Sequence, residues 1–131
     1  MRARTRFNGW SSLVISASSV SLALTLAPAA LAHLSLTPKA TTVGADVDVV
    51  FAVPNEDDPN GVVRVTIGAP REFELDDAEA KPGWTQTRSG QAITWSGGRI
   101  PKHQFATFTV RGTAPKQPGS VLFNVLVGSQ K

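Results

Sequence analysis

The chain has 131 residues, no cysteine, 13 Lys+Arg against 10 Asp+Glu, and a formal charge of +3. That length suits one small domain. The missing cysteine excludes thiolate catalysis, iron–sulfur clusters, disulfide staples and cysteine zinc sites. The basic excess is local: Arg2, Arg4 and Arg6 supply three of the 13 cations, and the ten that follow are matched by ten carboxylates, so no nucleic-acid partner is expected.

Residues 1–32 follow the three-part plan of a secretion signal. The three arginines form a basic start, and an apolar stretch runs from Leu13 through Val20, Leu22, Leu24 and Leu26. Ala30-Leu31-Ala32 then supplies the small residues that signal peptidase requires. Ser11, Ser12, Ser16, Ser18, Ser19 and Ser21 interrupt the apolar run, which speaks against an uncut membrane anchor. No arginine pair precedes it, so the general secretion route is expected. Cleavage after Ala32 leaves a domain of residues 33–131, exported to the periplasm, the cell surface or the medium, with His33 as its first residue.

After His33, Gly, Pro and Asn punctuate the chain about every eight to twelve residues, as in all-β domains. Leu34 and Leu36 alternate with Ser35 and Thr37 until Pro38 ends a first strand. Val47, Val49, Phe51 and Val53 define a half-buried strand closed by Pro54. The polar run Asn55-Glu56-Asp57-Asp58-Pro59-Asn60-Gly61 is turn chemistry, and Val63, Val65 and Ile67 share one face of the strand after it. Residues 71–79 read as a solvated, charged edge or loop, with Phe73 and Leu75 as apolar alternates. Lys81-Pro82-Gly83-Trp84 is a turn into a hairpin that Ser89-Gly90 folds back toward Trp95, and Ser96-Gly97-Gly98 breaks the second arm. Segments 105–111 and 121–127 are the last two strands. No helical periodicity and no second membrane-spanning apolar run follow residue 33. The expectation is an immunoglobulin-like β-sandwich of seven to eight short strands.

A histidine at a new N-terminus has chemical meaning. Its α-amine, with pKa near 8, yields its proton to a metal at modest cost, and amine and imidazole of one residue close a chelate ring. Such nitrogen donors favour Cu(II). The plainer reading of His33 is a frayed first residue. Glu56 alone reads as part of a solvated turn, His103 as a surface histidine, and Trp84 and Trp95 as core aromatics.

Segments 32–128 resemble the YcnI-like domain, a bacterial exported copper-binding family. The matching pieces are Ala32-His33 with Ser35-Leu36-Thr37-Pro38, then Phe51-Ala52-Val53-Pro54-Asn55-Glu56, and Lys81-Pro82-Gly83-Trp84-Thr85. Ile93-Thr94-Trp95-Ser96-Gly97-Gly98 and Ile100-Pro101 with Phe105 and Phe108 complete the run in the family's order. The resemblance implies a β-sandwich that holds Cu(II) by a single-histidine brace. The amine and ring of His33 would match its N-terminal histidine, and Glu56 its carboxylate ligand. A tryptophan packs near copper in the family. Trp95 fills that role if it belongs to the Thr-Trp-Ser-Gly-Gly segment; if it belongs to the final strand, this chain has Phe123 there and departs from the pattern. Asp57 and Asp58 are substitutes for Glu56 if the register is shifted. This chain also lacks the cysteine pair of some members. It stops at Lys131, without the anchoring tail of others, so no membrane span is expected in the mature chain.

Three functions follow as expectations. The first is a non-enzymatic copper chaperone, scavenger or buffer in copper homeostasis, whose partners are the copper ion and a membrane copper transporter or another copper carrier. The second is a metal-free immunoglobulin-like domain that binds a protein or glycan. The third is a copper oxygenase, which would need His103 as a second histidine ligand. Nucleophile elbows, phosphate-cradling loops and dinucleotide fingerprints are all missing from the sequence.

Overall fold

The computed structural model of the chain describes residues 9–15, 21–26 and 34–129, the first two segments as backbone only. From Leu34 onward the protein is all-β, with nine strands in two antiparallel sheets and no helix among the described residues. Two earlier strands, β1 (Gly9–Ile15) and β2 (Ser21–Leu26), pair with each other. The remaining strands are β3 (Ser35–Thr37), β4 (Ala40–Thr42), β5 (Asp46–Asn55), β6 (Val62–Gly68) and β7 (Glu74–Ala78), then β8 (Thr85–Ser89), β9 (Ala92–Ile100), β10 (Gln104–Thr113) and β11 (Phe123–Ser129). The larger sheet runs β4-β2-β1-β11-β6-β9-β8 and the smaller runs β3-β5-β10-β7. Three-residue β4 has too little length for alternation to mark it in the sequence.

The β5–β10 ladder is the spine of the smaller sheet, continuous from Thr113 opposite Asp46 to Gln104 opposite Asn55. Val49, Phe51 and Val53 turn inward from β5, and Phe108 and Val110 from β10. Facing them are Val65 and Ile67, Ile93 and Trp95, and Phe123, Val125 and Val127 from the larger sheet. A belt of rings crosses this core. Trp84 and Trp95 pack on Phe108 at 5.3 and 5.0 Å between centroids. Phe108 is the cross-strand partner of Phe51. Phe51 and Phe73 meet Phe123 edge-on at 5.5 and 5.2 Å. Each buried ring or branched aliphatic contributes about 1.5–3 kcal/mol, which lets a domain without disulfides hold together.

Polar side chains close the seam between the sheets. Arg88 on β8 donates to the carbonyls of Leu75, Asp76 and Gly90, at 2.8–2.9 Å. Gln91 donates to the carbonyls of Pro70 and Phe73, both at 2.9 Å. The charged edge or loop expected around residues 71–79 is β7, at the margin of the smaller sheet. Its Asp77 shares Arg111 with Asp48 of β5 across the exposed face, each at 3.6 Å.

Three local expectations change. Pro54 does not end its strand, because pairing with β10 continues through Phe105 opposite Pro54 and Gln104 opposite Asn55. A proline at a strand's end removes one donor without dissolving the ladder. Ser96-Gly97-Gly98 does not break β9 either. It forms a bulge: Val62 pairs with Ile100 and Arg64 with Ser96, so β9 carries extra residues there, with Gly97 at φ 89°. The same bulge re-aims β6, so that Val62, Val65 and Ile67 enter the core while Val63 is only half-buried.

Candidate functional site

The expected ligand set divides across the structure. His33 and the cleavage site expected before it lie outside the described residues. Glu56 is exposed immediately after the last residue of β5. It lines a cleft of about 480 Å³ with Ala52, Pro54, Asn55, His103, Gln104 and Phe105. The floor is the outer face of the smaller sheet. Phe51, Val53 and Asn55 point inward, so Ala52 and Pro54 point out, and Phe105, opposite Pro54, stands 66% exposed beside them.

Asn55 holds the cleft in shape. It is 2% exposed, and its side chain is a three-way junction. The amide nitrogen donates to the carbonyls of Asp58 and Ile100, both at 2.9 Å, and the amide oxygen accepts from the Asp58 N–H at 2.9 Å. Its own backbone carbonyl accepts the His103 N–H at 2.6 Å. One buried residue thereby fixes both the loop that carries Glu56 and the turn that carries His103. Asn55 reads in the sequence only as the first residue of a polar turn. The signal that could have marked it is its odd place among inward-facing β5 positions.

The carboxylates beside Glu56 are placed otherwise. Asp58 Oδ1 accepts the Asn60 N–H at 2.8 Å, which caps the turn toward Gly61. Neither Asp57 nor Asp58 lines the cleft. Within the described residues, Glu56 is therefore the carboxylate that can act there.

His103 is better placed than a surface histidine need be. Turn 101–104 is closed by the Gln104 N–H donating to the Pro101 carbonyl at 3.1 Å, and His103 occupies its third position at φ 68°. That position of such a turn favours glycine. A side chain in left-handed backbone costs about 1 kcal/mol, although histidine tolerates it better than branched residues do. Among the described residues its ring has no hydrogen-bond partner.

Trp95 is fully buried, and its indole N–H donates to the Glu79 carbonyl at 3.2 Å. Phe123 is equally buried, between Phe51 and Phe73. Neither is among the residues that line the cleft with Glu56. Among the described residues no group of three or more His, Cys, Asp or Glu side chains could hold a metal. No helix there is long and apolar enough to cross a membrane.

Fold and cleft together define a β-sandwich with a carboxylate and an imidazole on the outer face at one end of its smaller sheet. Residues 33–92 match the family model of a domain of unknown function, DUF1775. Comparison with curated proteins finds no match.

Proposed function

We propose that the protein is an exported Cu(II)-binding domain of the YcnI-like type, a chaperone, scavenger or buffer rather than an enzyme. The observation that carries this reading is the position of Glu56 just past the end of β5, the end opposite which β3 begins. Leu34 and Leu36 are buried, while Ser35 and Thr37 are not, and Ser35 lies opposite Ala52. Strand alternation puts Ser35 on the same outer face as Ala52 and Pro54. The family match also begins at residue 33, where signal removal would start the mature chain.

The donors suit Cu(II). Amine, imidazole and carboxylate are nitrogen and oxygen ligands, and Cu(II) heads the divalent affinity series for such sets. Two of them belong to one residue, so the second bond needs little further ordering. In this reading His33 supplies both nitrogens and Glu56 an oxygen that offsets part of the metal's charge. Trp95, in the core, is left a supporting place behind these ligands at most. The partner is a membrane copper transporter or another carrier that takes the ion from this exposed cleft.

The test is to express the full chain with export, confirm the first residue by mass spectrometry, and titrate with Cu(II) under electron paramagnetic resonance. One tight equivalent is expected. An added alanine before His33 removes the free amine and should abolish the tight signal. Glu56→Gln should weaken binding at least about tenfold, the scale of one lost interaction. Weak binding indifferent to both changes would sink the reading and leave a metal-free interaction domain.

A further inference from the structure

We propose that the side of β11 turned away from β6 is a self-association surface, on which a second copy of the processed chain pairs β11 against β11. This rests on the removal of residues 1–32 in the reading above and not on the metal. β11 (Phe123–Ser129) has β6 on one side and β1 on the other, where Phe123, Asn124 and Val125 lie opposite Ser11, Trp10 and Gly9. Both β1 and β2 fall within residues 1–32, and β4 joins the larger sheet only by pairing with β2. Cleavage after Ala32 therefore leaves the order β11-β6-β9-β8, with β11 as an end strand that has lost an antiparallel partner.

An end strand accepts a further strand unless something guards it, and the usual guards are short length, charge and proline. The other end strands among the described residues each have one. β7 carries Glu74, Asp76 and Asp77, and β8 carries Arg88. β3 and β4 have three residues each, on either side of Pro38. β11 has seven residues and none of these guards: residues 117–130 hold no Asp, Glu, Lys or Arg, and Pro118 lies before the strand. Phe123, Val125 and Val127 point into the core, so Leu122, Asn124 and Leu126 point out, where Leu122 is 45% and Leu126 38% exposed. This edge suits a copy of itself. In an antiparallel pair about a twofold axis, apolar and amide side chains of β11 lie beside their equivalents, with no like charges to repel. Two four-stranded sheets would then run on as one of eight strands, with the leucines of both copies on one face.

The experiment expresses the full chain with export, reads its first residue by mass spectrometry, and follows self-association by analytical ultracentrifugation with a chelator present. The processed parent should form a dimer whose fraction rises with chain concentration. Two double variants test the edge: Asn124→Lys with Leu126→Lys, and Asn124→Glu with Leu126→Glu. Both positions are exposed, so the fold should persist, with near-ultraviolet circular dichroism as the check. Each variant alone should dimerise about tenfold or more weakly, because its copies set like charges side by side. Mixing the two should restore a dimer containing one copy of each. A processed parent that stays monomeric, a dimer indifferent to the charges, or variants that do not pair when mixed would overturn the inference and leave the cleavage standing. If the exported chain keeps residues 9–26, the cleavage and the inference fall together.

Discussion

Turns 81–84 and 101–104 share a frame but not a sequence, and the contrast falls on their third residue. Each is closed by its fourth N–H on its first carbonyl, at 3.0 Å for Trp84 on Lys81 and 3.1 Å for Gln104 on Pro101. Each puts its third residue in left-handed backbone, Gly83 at φ 85° and His103 at φ 68°. The first turn serves packing: it delivers Trp84 to Phe108 and brings Lys81 Nζ within 5.3 Å of the same ring. Glycine is the least strained choice, and the chain uses it. The second turn lies over the cleft and bears a side chain that its backbone does not favour. Equal geometry with unequal residues separates what the fold requires from what it merely tolerates.

The largest effect should come from cutting the second turn's anchor. Asn55→Ala takes the side-chain donor from the Ile100 carbonyl and the acceptor from the Asp58 N–H, while the Asp58 carbonyl keeps the Gly61 N–H, and should cost about 3 kcal/mol in denaturant unfolding. Loss of hydrogen-exchange protection should concentrate in loops 55–61 and 100–104. A small effect would mean that the junction holds neither loop.

Next comes the seat of the first turn. A β-carbon on Gly98 would fall within the Trp84 indole, so Gly98→Ala should cost about 2–3 kcal/mol and change tryptophan fluorescence. Gly83→Ala is a milder change. Its added carbon meets nothing within 4 Å, so the loss of about 1 kcal/mol in thermal unfolding measures backbone strain alone. The smallest change should be of opposite sign: His103→Gly should gain about 0.5 kcal/mol, the relief of strain less the extra freedom of the unfolded chain. If His103→Gly instead destabilises as much as Gly83→Ala, the imidazole is packing the turn and the contrast between the two fails.

Much of the sandwich was legible because its strands alternate. Val49, Phe51 and Val53 marked β5, Ser89-Gly90 marked the β8–β9 hairpin, and charge marked the β7 segment as solvated, edge or loop alike. Ser96-Gly97-Gly98 misled, since two glycines read as a break whether the strand stops or bulges. Only pairing with β6 distinguishes the two. The cleft was not legible in its architecture. Glu56 on its own reads as part of a solvated turn, and only the resemblance singled it out. Pro101-Lys102-His103-Gln104 likewise looks like any polar turn. Its placing depends on Asn55, whose amide reaches Ile100 across 45 positions of sequence. Side-chain junctions of that span leave no periodic trace.

Leu34 carries one last consequence. It is 2% exposed, and with Leu36 it pins the first residues of β3 into the core. Any residue joined to it has its Cα within 3.8 Å of that anchor. Under the proposed cleavage after Ala32, the new terminus would be joined to that anchor with little slack. Under the proposed copper reading, apolar burial would tune metal affinity from a distance, and thinning the core at Leu34 should weaken Cu(II) binding without touching a proposed ligand.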